Sequence, residues 1–356
     1  MKYLSDKAKT LTPYVAGIQP KGSGWVKLNT NENPYPPSPK VVEAIKNADM
    51  EKLRLYPDCD SVELCEALGK SLGVDAENIF IGNSSDEVLA LAFEAFLNGK
   101  KNVLMPEISY GYYPVWSAMY NVGVVTVPLK ADYTIDPSDY KGGSGVVIAN
   151  PNAPTGLALT VNQVEQILKN NPDGMVIIDE AYMDFAEMDN AVGLVVKYDN
   201  LLVVRTFSKS YSLAGLRVGF AVGNKNLIDG LQRMKNAFNS YPLDRLAQIG
   251  AKAAVEDVAY FDKTRQDIIA TRKDVTKQLR GLGFNVLDSE ANFIFMETED
   301  AKGLYEYLLE KKVLVRYWNK PKLSNFLRVT VGTKKEMEVF NQCVKLWLNE
   351  KQKKRT

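Results

Sequence analysis

Lys209 lies in "TFSKSYSLAGLR" (Thr206–Arg217), directly after the strand-like run "NLLVVRT" and hemmed in by serines. Taken alone it reads as a solvated loop lysine. Three other stretches bear on it. "MVIIDE" ends in Asp179 and Glu180 after four apolar residues; an unpaired carboxylate at the end of a buried strand is expensive, so Asp179 calls for a cationic partner. "NPNAPTG" (Asn150–Gly156) follows "GVVIA" and packs two prolines and a glycine into seven residues, a tight turn whose polar tip can be held against a ligand. "IGNSSDEVLALAF" passes from a strand through Gly-Asn-Ser-Ser into a helix with Asp86 and Glu87 in its first turn. Backbone N–H groups near Ser84, Ser85 and Asp86 can cradle a phosphate there, though a plain Ser cap followed by favourable acids explains the same residues.

Read in order, these pieces suit one kind of chemistry. A pyridine-based aldehyde cofactor needs a lysine to hold it covalently, a carboxylate to keep its ring nitrogen protonated, donors for its phosphate and an aromatic ring to stack on it. The chain supplies Ser85 and Asp86, then Tyr110, then Asp179, then Lys209. Such a lysine serves as nucleophile and base. That matters because the chain has 0 histidines, which removes Ser-His-Asp and Cys-His catalysis and the usual imidazole ligands of catalytic zinc.

Composition narrows the partner further. The 44 basic and 43 acidic side chains offer no electrostatic case for nucleic acid or an anionic membrane, so a small molecule is expected. Cys59, Cys65 and Cys343 are scattered without metal-ligand spacing and read as reduced thiols, with no metal site expected. No apolar run approaches membrane-spanning length and the N-terminus lacks the pattern of a secretory leader, so a cytoplasmic location is expected.

These residues need a scaffold that presents strand ends. From about residue 78 to 221, short β-branched runs ("NIFIG", "NVLM", "VGVVTVPL", "GVVIAN", "MVIIDE", "LLVVRT", "LRVGFAV") alternate with helical ones. Strands apolar on both faces predict an α/β fold, a mostly parallel sheet sandwiched by helices, with ligands at the carboxyl ends of the strands. Beyond residue 222, helices are expected near 224–238, 243–258 and 260–282, then "NFIFME", a helix near 301–312, "VLVRY", "FLRVTVG" and a last helix from about 334, which together suggest a smaller α+β domain. The Pro- and Asn-rich first 40 residues are expected to be extended.

The order "LNTNENPYPPSP", "YPD", "NSSDE", "NPNAPTG", "DEAYMDF", "RTFSKSYSLAGLRVGF" and "LRVTVG" resembles the fold-type I pyridoxal-phosphate-dependent aminotransferases, and among them the histidinol-phosphate aminotransferases. The resemblance runs from about residue 11 to 345. It implies an aspartate-aminotransferase-like division: an N-terminal arm (1–45) packed with the small domain, a large domain binding pyridoxal 5'-phosphate (46–258) and a small C-terminal domain (259–356). It implies that Lys209 holds the cofactor and shuttles a proton, that Asp179 pairs with the ring nitrogen, that Tyr182 donates to the phenolic oxygen and that Tyr110 stacks on the ring. Ser85, Asp86, Ser208 and Arg217 would hold the phosphate, joined by Tyr56 from a second copy in a homodimer with shared active sites. Two departures stand out. The family's Asn-Pro-Thr-Gly turn reads Ala153-Pro154-Thr155-Gly156 here, leaving Asn152 as the substitute for the missing asparagine, and the phosphate turn is Ser84-Ser85, which the backbone tolerates if Ser84 keeps a negative φ.

Arg316 in "VLVRY" and Arg328 in "FLRVTVG" form a pair of guanidinium forks suited to a dianion. By the resemblance they receive the substrate phosphate, with Tyr14 in "LTPY" closing over it, and the expected reaction is L-histidinol phosphate plus 2-oxoglutarate to imidazoleacetol phosphate plus L-glutamate. An aromatic-amino-acid aminotransferase and a threonine-phosphate decarboxylase share the scaffold and remain alternatives. "NENPY", with Asn31 and Asn33, resembles the same subfamily's N-terminal flap.

Overall fold

The computed structural model describes residues 2–355. Its strands, in chain order, are β1 (Val26–Lys27), β2 (Ile79–Asn83), β3 (Val103–Pro106), β4 (Val124–Val127), β5 (Gly145–Ala149), β6 (Met175–Asp179), β7 (Leu201–Thr206) and β8 (Val218–Gly223), followed by β9 (Asn285–Val286), β10 (Phe293–Glu297), β11 (Val313–Leu314), β12 (Arg316–Tyr317) and β13 (Phe326–Thr330). A seven-stranded sheet has the order β2-β8-β7-β6-β5-β3-β4. All its pairings are parallel except the two made by β8, which runs antiparallel to β2 and β7. The α/β sandwich expected from alternating runs is therefore present, with one reversed strand that apolar patterning did not indicate.

The alternation of side chains across a strand explains how that sheet is covered on both sides. Val146 and Ile148 of β5 pack in one core with Val176, Ile178, Leu201 and Val203. Their neighbours Val147 and Ala149 pack in a second core with Ile177, Leu202 and Val204. Helices cover both: Val161–Asn170, started by a Thr160–Gln163 capping box, and Arg245–Glu256 lie over the first, while Ser84–Ala92 and Tyr113–Met119 lie over the second.

A separate antiparallel sheet, β12-β13-β10-β9, shares a third core with the helices Val258–Gly281, Ala301–Glu310 and Lys334–Arg355. The N-terminal segment joins this side of the molecule: β1 pairs in parallel with β11, and Leu28 belongs to the third core. The segment is not wholly extended, since Asp6–Thr10 forms a short helix capped by Ser5.

Candidate active site

The carboxyl ends of β2, β5, β6 and β7 open onto a cavity of about 340 Å³. Asp179, the last residue of β6, is buried; its carboxylate accepts from the Tyr113 hydroxyl at 2.8 Å and the Ala181 N–H at 3.2 Å. Burial pushes its pKa up to about 6. The nearest protein cation on this strand end belongs to its neighbour, which leaves Asp179 for a partner from outside the protein. Successive residues point to opposite faces, and Glu180, raised to about 7 by burial, lies 3.8 Å from Arg205 Nε. Arg205 also pairs with Asp184, which accepts the Ser210 hydroxyl. Among the described residues no lysine or arginine forms an ion pair with Asp179.

Lys209 follows β7 on a loop pinned from two directions. Asn33 Nδ2 donates to the carbonyls of Lys209 and Ser210 at 3.0 and 3.1 Å, and Lys209 Nζ donates to the Thr30 carbonyl at 3.2 Å. The ammonium also lies 5.7 Å from the centroid of the Tyr182 ring.

The turn from β2 into the helix Ser84–Ala92 brings N–H groups to the same cavity, where the positive end of the helix favours an anion. Ser84 has φ +69°, so the negative φ expected of it does not hold. The left-handed turn folds back against β8, and only glycine fits opposite it: a Cβ on Gly219 would come within 2.1 Å of the Ser85 nitrogen. Glu87 steadies the turn by accepting the Asn83 N–H at 2.5 Å. Asp86, at the mouth of the turn, accepts from Tyr110 at 2.9 Å and pairs with Arg217 at 2.9 Å.

The opposite wall comes from the antiparallel sheet. Arg316 of β12 stands directly across from Arg328 of β13. Both guanidiniums lie over Trp318, 5.4 and 5.3 Å from its centroid. Arg328 donates to the Asn29 carbonyl at 2.8 Å while its buried Nε has no partner, and burial pulls its pKa down. Arg316 reaches the Val15 carbonyl at 3.4 Å. Above them Tyr14 stacks on Tyr112 at 4.2 Å, with Tyr110 6.3 Å away.

Of the residues singled out in the sequence, Tyr14, Ser85, Asp86, Tyr110, Asp179, Tyr182, Ser208, Lys209, Arg217, Arg316 and Arg328 all line this cavity. Asn152 does not. Its amide is spent on the neighbouring Ile108–Ser109 loop, accepting from Ser109 at 2.9 Å and donating to the Ile108 carbonyl at 3.0 Å, so the one-residue shift turns the side chain away and Ala153 lines the cavity instead. Tyr56 is also absent from the lining; it is 77% exposed and stacks on Tyr241 at 4.5 Å. The strap Asn29–Asn33 was outside the candidate set although Asn29, Thr30, Asn31 and Glu32 line the cavity. Buried asparagines in a turn-rich run were the available signal.

A phosphorylated pyridine aldehyde fits this arrangement. A buried, cation-free carboxylate suits a protonated ring nitrogen, a helix N-terminus beside Arg217 suits a phosphate, and Lys209 lines the same cavity. Residues 23–343 match the family described as aminotransferase class I and II. The chain is 50% identical over 346 residues to the histidinol-phosphate aminotransferase of Brachyspira hyodysenteriae, covering 96% of this chain and 98% of that one. It is 50% identical to histidinol-phosphate aminotransferase 1 of Bordetella parapertussis, covering 97% and 98% of the two chains. Its fold is similar to that of histidinol-phosphate aminotransferase from Sinorhizobium meliloti in complex with pyridoxal-5'-phosphate, with a TM-score of 0.84 at 22% identity over 96% of each chain.

Proposed function

The chain belongs to the class I and II aminotransferases, and from that premise we propose that it moves the amino group of L-histidinol phosphate to 2-oxoglutarate, giving imidazoleacetol phosphate and L-glutamate. The observation that carries the substrate class is the pairing of Arg316 with Arg328 on one wall of the cavity that holds Lys209. Two cationic forks, one with an unpartnered buried Nε, suit a phosphate dianion or the distal carboxylate of 2-oxoglutarate.

The resident cofactor of this reading is pyridoxal 5'-phosphate, which supplies an aldehyde and an electron-withdrawing ring able to take up the electron pair released when the substrate Cα–H bond breaks. The residues act around it. Lys209 Nζ, the one amine lining the cavity among the described residues of a chain with 0 histidines, would carry the proton between the substrate Cα and the cofactor's C4′. Asp179 stays ionised when a ring N–H faces it, because a charge-assisted hydrogen bond offsets the burial that otherwise raises its pKa. Tyr182 would donate to the phenolic oxygen, Tyr110 would pack against the ring, and the turn N–H groups of Ser85 and Asp86 with Ser208 and Arg217 would hold the phosphate. Tyr14, which lines the cavity and stacks on Tyr112, would pack against the substrate from the strap's side.

The enzyme works as a homodimer in the cytoplasm on this reading. Tyr56, Phe238 and Leu53 present large apolar side chains at 77%, 80% and 54% exposure, the kind of surface a second copy covers. Arg245 donates to the Tyr56 carbonyl at 2.9 Å, and the exposed Tyr56 ring lies outside its own chain's cavity lining, which supports a reach to a neighbouring copy. No helix among the described residues is long and apolar enough to cross a membrane.

The test is a single half-reaction. Protein loaded with pyridoxal phosphate is mixed separately with histidinol phosphate, phenylalanine and threonine phosphate while the visible band is followed and carbon dioxide assayed. Rapid bleaching by histidinol phosphate alone is expected. Bleaching by phenylalanine, or carbon dioxide from threonine phosphate, replaces the substrate; absence of a visible band overturns the cofactor.

A further inference from the structure

Asn31 sits in the strap at 1% exposure with φ +56°, a left-handed conformation that asparagine tolerates better than most residues. Every polar group it has is engaged. Its N–H donates to Thr330 Oγ1 at 2.9 Å, its carbonyl accepts from Asn292 Nδ2 at 3.0 Å, its Oδ1 accepts the Thr330 hydroxyl at 3.1 Å and its Nδ2 donates to the Tyr182 hydroxyl oxygen at 3.0 Å. Turning the amide over would leave the buried Thr330 hydroxyl proton without an acceptor among the described residues, a penalty that fixes the orientation shown. A donor therefore faces Tyr182. A phenol has one proton, and among the described residues Tyr182 gives it to no protein acceptor; with the oxygen already receiving a hydrogen bond, that proton is left for the cavity.

We propose that Asn31, oriented by Thr330, is a positioning residue that makes Tyr182 a hydrogen-bond donor into the cavity, aimed at the phenolic oxygen of bound pyridoxal phosphate. The inference rests on the cofactor reading above. A donor to that oxygen stabilises its negative charge and lowers the pH at which the adjacent nitrogen, joined to Lys209, gives up its proton. Reversing the amide would turn Tyr182 toward the strap and retain that proton to higher pH.

The experiment is a pH titration of the visible band in the cofactor-loaded protein, with cofactor affinity measured alongside. Asn31→Asp places an acceptor opposite Tyr182 and is expected to raise the midpoint by about one pH unit or more. Thr330→Val adds no charge and does not touch Tyr182, yet frees the amide to turn; it is expected to raise the midpoint by about half a unit. In a Tyr182→Phe background the Thr330→Val shift should vanish to within about 0.2 unit, whereas a general loosening of the strap would persist there. Loaded variants whose midpoints match the parent, or a Thr330→Val shift that survives once the Tyr182 hydroxyl has been removed, overturn the proposal. A parent protein with no visible band overturns the cofactor reading itself, and the proposal with it.

Discussion

The two walls of the cavity carry unbalanced charge of opposite sign. On the seven-stranded side, Asp179 is a buried acid whose nearest polar partners are a phenol and an N–H. On the antiparallel side, Arg328 is a guanidinium with a buried Nε that has no acceptor among the described residues. Burial raises the pKa of the first and lowers that of the second. Each wall thus holds an electrostatic cost that a different ligand group relieves, a ring N–H on one side and an anion on the other. The walls also differ in how they are fastened. Asp179, Lys209 and the Ser84–Ser85 turn each follow their own strand, while Arg328 is anchored to Asn29 across 299 residues of chain.

The most severe way to separate the walls is Lys209→Ala. Transamination should fall by about 10³-fold or more, while calorimetry should find the affinity for a phosphate-bearing substrate analogue nearly unchanged; a collapse of both would show that the walls do not act independently. Asp179→Asn comes next. It keeps the side-chain shape and removes the charge, and kcat/KM should drop about 10²-fold with weaker cofactor binding, read by fluorescence titration. Arg328→Lys leaves a cation but loses the fork. The KM for histidinol phosphate should rise about tenfold with kcat little changed, and an equal fall in kcat would place Arg328 in the chemistry rather than in binding.

The last effect is on stability and has the opposite sign. The folded-state pKa of Asp179, about 6, lies above its ordinary value of 3.8, so the folded cofactor-free protein holds a proton that the unfolded chain has released. Stability contributed by that proton is present at low pH and lost as pH rises through about 6. Asp179→Asn should therefore stabilise the cofactor-free protein at pH 8, by up to about 3 kcal/mol, and much less at pH 4. Thermal melts at the two pH values check this. A destabilised cofactor-free variant at pH 8 would show that the carboxylate is already well compensated.

Most of the seven-stranded wall was legible in the sequence because its chemistry and its position come from the same few residues. "MVIID" is a strand by composition, and its last residue is at a ligand edge by topology. Which of two adjacent acids meets Arg205 depends on the face each occupies, and local sequence does not show that it is Glu180. The same local logic missed the left-handed Ser84, whose conformation is permitted by Gly219 on a strand far along the chain; that strand's reversed direction was equally invisible. Asn152 shows how one shifted position redirects a side chain onto the neighbouring Ile108–Ser109 loop. Asn31 was least legible, because nothing near it in the chain indicates that Thr330, Asn292 and Tyr182 are its partners.

The pairing of β1 with β11 and of Asn31 with Thr330 sets an order of events during biosynthesis. The strap can meet Lys209 and Ser210 through Asn33 once β7 has been made, but β1 stays an unpaired edge until β11 has followed it. The cavity wall that the strap forms is therefore completed only when the last strands to be made capture the first.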